Sequence, residues 1–216
     1  MRPAILPPHA PGLRIGLFGG TFDPPHEAHL SVALMAIRRL GLDFVWWLVT
    51  PGNPLKDTSA LAPLAERLAA ARRLARHPGI IVTSFEADLG LRYTHETVRY
   101  LRARCPGVRF VWLMGADNLA SFHRWRQWRH IAGSLPIAVV DRAGPSLSAT
   151  AGRAATALAR FRVPESAART LPGRRPPAWV YLHGLKSPLS STALRTRQES
   201  LRIRQGSQPR RLDTGR

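Results

Sequence analysis

Cysteine is almost absent: the 216 residues include only Cys105. A single thiol excludes a disulfide within the chain and fits a protein of the reducing cytoplasm, where we expect this one to be located. Because Cys105 falls near the end of a helical pattern, we assign it no role in chemistry.

Long apolar runs are absent too. No stretch reaches the roughly 18 apolar residues that a helix needs to span a bilayer. Residues 1–11 contain prolines and a histidine but no continuous apolar core, so we do not interpret them as a signal peptide. We therefore expect no association with a membrane, and the length is sufficient for one large α/β domain.

Acidic residues and lysines are scarce. The chain has 13 Asp and Glu against 32 Lys and Arg, for a net charge of +19, and its only lysines are Lys56 and Lys186. Such a charge attracts polyanions, whether ATP, nucleic acid or an acidic membrane. The arginines are scattered over every segment, so we assign most of them to solvated faces. An RNA-binding module is an alternative, but it would need exposed aromatics among the basic residues, and the aromatics here fall mostly in apparent strands.

Short apolar runs alternate with helical patterns along the chain. This alternation predicts a doubly wound, three-layer α/β fold with a parallel sheet, in which ligands bind beyond the carboxyl ends of the strands. Helical patterns begin near His26, Pro63, Thr94 and Pro188, with Thr94 as a predicted N-cap. The predicted strands cover residues 14–18, 44–49, 80–83, 108–114, 135–140 and 178–182.

Composition also suggests the domain limits. Residues 1–13 are rich in proline and are expected to form a loose leader, and residues 199–216 a basic, disordered tail. Residues 14–198 are expected to form a single domain. Within it, residues 143–177 are an Ala-, Arg- and Pro-rich connection, in which Ala154, Leu158 and Phe161 could line a helix.

The first strand leads into a glycine pair and a helix start. Gly19 and Gly20 allow a tight turn and a close approach to a ligand, and the two prolines that follow suit the entry to a helix. His26 and His29 are three residues apart, so they share a face in the first helical turn. A strand, a turn and a helix N-terminus with free N–H groups and two imidazoles predict a polyphosphate site.

The string G-G-T-F-D-P-x-H-x-x-H resembles the nicotinate-nucleotide adenylyltransferases, within the nucleotidyltransferase superfamily whose mark is H-x-G-H after a glycine-rich turn. The resemblance covers residues 14–197, and it implies a Rossmann-like nucleotidyltransferase fold in which His26 and His29 are catalytic. Ala28 stands where the family usually has glycine, which adds a methyl group near the phosphates but keeps both histidines. The residues implied to bind the ATP phosphates here are Gly19, Gly20, Thr21 and Phe22.

A second phosphate candidate, L-S-S-T-A-L-R from Leu189, is similar to the family's I-S-x-T-x-x-R signature. The resemblance implies that Ser190 and Thr192 bind phosphate and that Arg195 is catalytic; hydroxyls, N–H groups and a guanidinium suit that task. An ordinary N-cap followed by a surface arginine is the alternative. Lys56 follows the second strand, where the family carries a basic residue or His, so it is expected at the substrate phosphates; a solvated lysine is its alternative.

Two further motifs imply a subsite for nicotinate mononucleotide. R-Y-T is similar to the family's S-Y-T, which implies that Tyr93 and Thr94 lie beside this nucleotide; Thr97 either joins them or is a helix-surface hydroxyl. Gly115 and Asp117 match the family's G-x-D, whose carboxylate accepts hydrogen bonds from ribose hydroxyls. A simple helix cap is the alternative for Asp117.

Trp125, in F-H-R-W-R-Q-W, corresponds to the family's aromatic residue that stacks on the pyridine ring. The remaining tryptophans are assigned to the hydrophobic core: Trp46, Trp47, Trp112, Trp128 and Trp179.

The resemblance implies a reaction that joins nicotinate mononucleotide to the adenylyl group of ATP, releasing pyrophosphate, in NAD biosynthesis. Mg²⁺ is expected to be held mostly by substrate and water, since it retains its hydration. We expect small-molecule partners rather than nucleic acid. The alternatives are an adenylyltransferase of the same superfamily that uses nicotinamide mononucleotide or phosphopantetheine, and the RNA-binding module.

Overall fold

The computed structural model describes residues 5–52, 60–141 and 150–184. The described residues do not include the helix expected to begin near Pro188, the predicted tail, or the candidate site residues Lys56, Ser190, Thr192 and Arg195. The domain limits remain predictions. Part of the expected leader contacts the body of the protein: Gly12 donates its N–H to the Gly107 carbonyl at 2.9 Å, and the His9 ring packs edge-on against Trp46.

The strands form one parallel sheet. Their bounds are β1 (Arg14–Gly20), β2 (Phe44–Val49), β3 (Ile80–Thr83), β4 (Arg109–Gly115), β5 (Ile137–Val140), β6 (Arg162–Val163) and β7 (Trp179–Leu182). Their order is β3-β2-β1-β4-β5-β7-β6, and every neighbouring pair is parallel. The predicted parallel α/β architecture is confirmed. The two-residue β6 was not predicted, because it is too short to show an apolar pattern.

The helices that pack on this sheet are α1 (Glu27–Leu40), α2 (Leu64–Leu74), α3 (Phe85–Asp88), α4 (Thr94–Arg104), α5 (Ala116–Ser121), α6 (Trp128–Ser134) and α7 (Arg153–Ala157). Shorter 3-10 segments follow α5 and α7, at Phe122–Arg124 and Ala159–Phe161, and a longer one spans Glu165–Gly173. The predicted N-cap Thr94 is wrong by one residue, since Tyr93 is the N-cap of α4. The Glu96 carboxylate explains this position, because it accepts the N–H groups of Arg92 and Tyr93.

The connection before β7 differs from the expected pattern. A helix lined by Ala154, Leu158 and Phe161 does not form; α7 ends at Ala157 and a 3-10 turn follows. The Leu158 carbonyl accepts the Trp179 indole N–H at 2.9 Å, so this turn is tied to β7.

Two apolar layers cover the two faces of the sheet. Successive residues of a strand alternate between them: Leu17 and Trp112 belong to one cluster, and Phe18 and Leu113 to the other. Burying each large apolar side chain contributes roughly 1.5–3 kcal/mol. The tryptophans assigned to the core are all buried: Trp46, Trp47, Trp112, Trp128 and Trp179.

The strand order fixes where a ligand can bind. The chain runs outward from β1 to β3, then returns to place β4 on the other side of β1, with Phe18 opposite Leu113. A crevice opens beyond the carboxyl ends of the strands at such a reversal. Gly20 and Gly115 end these two strands, so two of the predicted motifs meet here.

Candidate active site

Residues 19–25, which include those predicted to bind phosphate and are called the phosphate turn here, comprise the last two residues of β1 and the loop that follows. The prediction that Gly19 and Gly20 form a tight turn is wrong, because both continue the strand. What they permit is close packing: a Cβ at Gly19 would lie 3.3 Å from the Trp112 ring, and one at Gly20 would lie 3.2 Å from the Phe22 ring. Rings of neighbouring residues therefore occupy the space that side chains would fill.

Phe22 supplies the reversal of the backbone. It adopts a left-handed conformation with φ of +48°, which is uncommon for a bulky residue. Its fully buried ring stacks on Trp47, with centroids 5.0 Å apart and an interplanar angle of 22°, and contacts the His29 ring at 4.8 Å. Packing on both sides therefore offsets the cost of the strained backbone. The two prolines lie before the N-cap of α1, and the Asp23–Pro24 bond is cis.

His26 and His29 form a buried pair at the start of α1, as predicted. His26 is the N-cap residue, and the two ring centroids are 3.9 Å apart. The His26 N–H donates to Nδ1 of His29 at 3.2 Å. Since Nδ1 is thereby an acceptor, the neutral His29 ring carries its proton on Nε2. Ala28 is 2% exposed, so its methyl group is covered by the protein.

Arg67, near the start of α2, was not predicted as part of the site. Its side chain is buried, and its guanidinium donates to four backbone carbonyls. One of them belongs to Thr21 of the phosphate turn. A signal was available in the sequence, because Arg67 occupies the buried face between Leu64 and Ala71, where a charge is unusual.

The end of β4 lies next to the phosphate turn. Gly115 is buried at the strand end and is the N-cap of α5, so Asp117 is not the cap. Asp117 lies in the first turn of α5 and is exposed. The alternative of a simple helix cap is therefore wrong, and its role toward a ribose stays a prediction.

The start of α4 holds Tyr93 and Thr94, both half-buried. Thr97 lies one turn further and is 1% exposed, so the alternative of a helix-surface hydroxyl is wrong. Its hydroxyl donates to Oε1 of Glu86 at 2.6 Å. Burial raises the pKa of Glu86 to about 7, although the hydrogen bond from Thr97 acts in the opposite direction. The sequence alone gave no signal for this pair.

Trp112 lies between the end of β1 and Trp125. Trp125 is half-buried and packs edge-on against Trp112, with centroids 6.3 Å apart. Trp112 is the same ring that lies against Gly19. The next residue, Arg126, places its guanidinium 4.8 Å from the centroid of the Tyr93 ring. Contacts therefore connect Gly19 of the phosphate turn, through Trp112, to Trp125, and Arg126 to Tyr93.

The described residues contain no group of three or more His, Cys, Asp or Glu side chains arranged to hold a metal ion. No helix within those ranges is long and apolar enough to cross a membrane.

A family model described as cytidylyltransferase-like matches residues 17–197. The chain therefore belongs to the cytidylyltransferase-like family, the class of protein that its sheet and phosphate turn define. It is 59% identical over 183 residues to a probable nicotinate-nucleotide adenylyltransferase of Bradyrhizobium sp. (strain ORS 278), with 85% of this chain and 95% of that protein covered. It is 58% identical over 185 residues to a corresponding probable enzyme of Methylorubrum extorquens, with 86% and 100% covered. Within its family, the chain is thus a member of the nicotinate-nucleotide adenylyltransferases.

The fold has solved counterparts. It is similar to nicotinic acid mononucleotide adenylyltransferase from Plasmodium falciparum complexed with NaAD, with a TM-score of 0.63 and 15% identity. The same enzyme complexed with APC gives a TM-score of 0.61. Both comparisons cover 85% of this chain and 83% of the other. At this identity they establish the shared fold.

Proposed function

We propose that the protein transfers the adenylyl group of ATP to nicotinate mononucleotide, giving nicotinate adenine dinucleotide and pyrophosphate. The observation that carries this proposal is the placement of two groups of residues around the crevice beyond β1 and β4, the neighbouring strands at the reversal of the sheet order. At one end lies an imidazole pair on a helix N-terminus, which suits a triphosphate. At the other lie half-buried aromatics and a guanidinium, which suit an aromatic ring with an anionic substituent.

The reaction needs no protein nucleophile. A phosphate oxygen of nicotinate mononucleotide attacks the α-phosphorus of ATP, a new P–O bond forms, and the bond to the leaving pyrophosphate breaks. The attacking group is already an anion, so no general base is required. Catalysis depends on bringing anions together and on stabilising charge that builds on the α-phosphate and the leaving group.

The imidazole pair and the start of α1 perform this task. In the neutral ring, Nε2–H of His29 donates to a phosphate oxygen, and His26 adds a second contact at the N-terminus of the same helix. The helix start contributes N–H groups and a partial positive charge. Ser190, Thr192, Arg195 and Lys56 are also proposed to bind the phosphates, on the strength of their motifs.

A magnesium ion fits this site as part of the nucleotide complex. The buried turn offers one carboxylate, Asp23, and no larger described acidic cluster, so phosphate oxygens and water would hold the ion. When bound, the ion neutralises charge on the phosphates. Asp23 is the residue that would bind its water.

The nicotinate nucleotide is proposed to lie beside the start of α4 and the end of β4. Trp125 stacks on the pyridine ring, with Tyr93 and Thr94 beside it and the buried Thr97 beneath. Asp117 accepts hydrogen bonds from the ribose, next to Gly115. The lone thiol of Cys105 is buried at the end of α4 and fits a protein of the cytoplasm.

Pyrophosphate release tests the proposal. The protein is incubated with Mg²⁺-ATP and, separately, with nicotinate mononucleotide, nicotinamide mononucleotide or phosphopantetheine. Release with the nicotinate compound well above the other two supports the proposal, and preference for either of the others replaces it. In a parallel filter-binding titration we expect weak RNA binding that is lost at physiological salt, because aromatic side chains of the described residues are buried or half-buried.

A further inference from the structure

The side chain of Arg67 joins three segments that are far apart in the sequence. Its Nη1 donates to the carbonyl oxygens of Thr21 at 2.7 Å and Thr50 at 2.8 Å. Its Nε donates to Ala62 at 2.8 Å, and Nη2 donates to Pro51 at 3.4 Å. Only 4% of the residue is exposed.

Burying a guanidinium carries a desolvation cost. Desolvation lowers the pKa of Arg67, while the charge of Asp23 in the phosphate turn opposes this. Apolar residues of similar volume often replace buried charges with no loss of stability. Stability alone therefore gives little reason for an arginine here, so the geometry of its bonds is the better explanation.

Two hydrogen bonds, only one of them from Arg67, fix two consecutive peptide groups of the phosphate turn. The Gly20 carbonyl accepts the Thr50 N–H at 3.0 Å, and the Thr21 carbonyl accepts from Arg67. In a planar trans peptide, the N–H points opposite to the carbonyl. The N–H groups of Thr21 and Phe22 therefore point away from Thr50 and Arg67.

We propose that Arg67 is a positioning residue: by binding the Thr21 carbonyl it directs the Phe22 N–H toward the nucleotide phosphates. This inference rests on the proposed function, which places the triphosphate at the turn. Phe22 has a left-handed backbone, so its peptide needs an external partner to keep this orientation. A guanidinium can do so because its donors lie in a fixed plane and reach several carbonyls at once. A lysine ammonium, with one nitrogen, cannot span the same three segments.

The test compares Arg67→Lys with two controls. Arg14→Lys changes an arginine that also bonds another segment, through Asp43, but at the opposite end of β1. Leu135→Ala removes a buried side chain just before β5, away from the crevice, and serves as a variant of lowered melting temperature. Calorimetry measures the dissociation constants of α,β-methylene-ATP and of nicotinate mononucleotide for each folded protein.

For Arg67→Lys, we expect affinity for the ATP analogue to fall about tenfold or more, the size of a lost hydrogen bond to a charged group. We expect kcat/KM for ATP to fall on the order of a hundredfold, as misplaced groups do. Affinity for nicotinate mononucleotide should stay within about threefold, because its subsite makes no contact with Arg67. Both controls should bind the analogue like the wild type.

Unchanged binding of the analogue by Arg67→Lys, or equal losses for both ligands, would overturn the proposal. If the lysine variant does not fold, Arg67→Met keeps the packing of the stem without a buried charge and must show the same selective loss. The proposed function fails separately: wild-type protein that binds the analogue but releases no pyrophosphate refutes the reaction, and the binding comparison still decides the role of Arg67.

Discussion

The two ends of the crevice, one proposed to bind the phosphates (the phosphate end) and the other the pyridine ring (the pyridine end), are built differently. At the phosphate end, Phe22, His26 and His29 are each at most 7% exposed. Phe22 and His26 lie between the seven-residue β1 and the 14-residue α1, and His29 lies in the first turn of α1. At the pyridine end, Trp125 is half-buried and Arg126 is exposed. Trp125 and Arg126 lie between two short helices, the six-residue α5 and the seven-residue α6.

The difference suggests a division of labour. Buried groups with backbone partners are held in place before any ligand arrives, which is what stabilisation of developing charge requires. Short elements with exposed side chains unfold locally more easily, so those side chains can adjust to a bound ring. Substitutions at the phosphate end should therefore act on turnover, and those at the pyridine end on the recognition of one substrate.

Removing His29 should give the largest effect. We expect His29→Ala to lower kcat by roughly 10²–10³, the usual loss for one donor to developing charge, while KM for either substrate changes little. Steady-state pyrophosphate release measures both parameters.

The matched control for this variant is His77→Ala. His77 also accepts a backbone N–H on Nδ1, from Gly79 at 3.1 Å, but it lies before β3, away from the crevice. A folded His29→Ala protein with the turnover of this control would remove His29 from the mechanism and would end the proposed division of labour.

Glu86 qualifies the comparison, because it is a buried acid that accepts a hydrogen bond from Thr97, one of the residues proposed for the pyridine end. Its folded pKa is about 7 against an ordinary value of 4.5, so the folded state keeps a proton that the unfolded state releases. Stability should therefore fall as pH rises from about 4.5 to 7 and level off above that range. We expect Glu86→Gln to be more stable than the wild type by roughly 3 kcal/mol at pH 8, and by little near pH 5.

Urea denaturation at the two pH values checks this expectation. Thr97→Val removes the hydroxyl that donates to the carboxylate, so its stability should depend more strongly on pH than that of the wild type. If the free energies of unfolding of Glu86→Gln and wild type differ by the same amount at pH 5 and pH 8, Glu86 is charged in the folded protein.

Local patterns predicted the phosphate end well. Short apolar runs located β1 and β2, and the spacing of His26 and His29 was sufficient to place them together, since three residues separate neighbours on a helix. The prediction of a turn at residues 19–20 was wrong. The left-handed conformation is adopted by Phe22, and an aromatic residue gives no sign of it in the sequence.

Contacts between residues far apart in the chain could not be predicted from the sequence. Arg67 binds carbonyls 46 and 17 residues away, and backbone carbonyls carry no signature in the sequence. The bond between Thr97 and Glu86 likewise depends on how α3 meets α4. The strand order, which makes β1 and β4 neighbours, could not be read from the alternation of elements, since several orders satisfy it.

Trp125 tests recognition at the pyridine end. We expect Trp125→Ala to raise KM for nicotinate mononucleotide about tenfold or less, since stacking contributes roughly 0.5–1.5 kcal/mol beyond burial. KM for ATP and kcat should stay close to wild type. Trp125→Phe retains an aromatic face and should recover most of the loss. An equal rise in KM for both substrates would show that the residue supports the whole crevice rather than one ring.

Substitution of Arg126 should have the smallest effect on kinetics, and it tests the choice between nicotinate and nicotinamide mononucleotide. Its guanidinium lies over Tyr93 and is exposed to solvent, so its attraction for a carboxylate on the pyridine ring is screened and should amount to roughly 0.5–1 kcal/mol. We expect Arg126→Gln to lower kcat/KM for nicotinate mononucleotide a few-fold at low salt, with no change for the neutral nicotinamide compound, and the difference should shrink at high salt. Arg129→Gln is the matched control, because Arg129 lies 4.6 Å over the ring of Trp128 in the same segment without contacting Tyr93. If both variants lower the preference for nicotinate mononucleotide over nicotinamide mononucleotide by the same factor, the preference comes from the general positive charge of the surface, and not from Arg126 at the pyridine end.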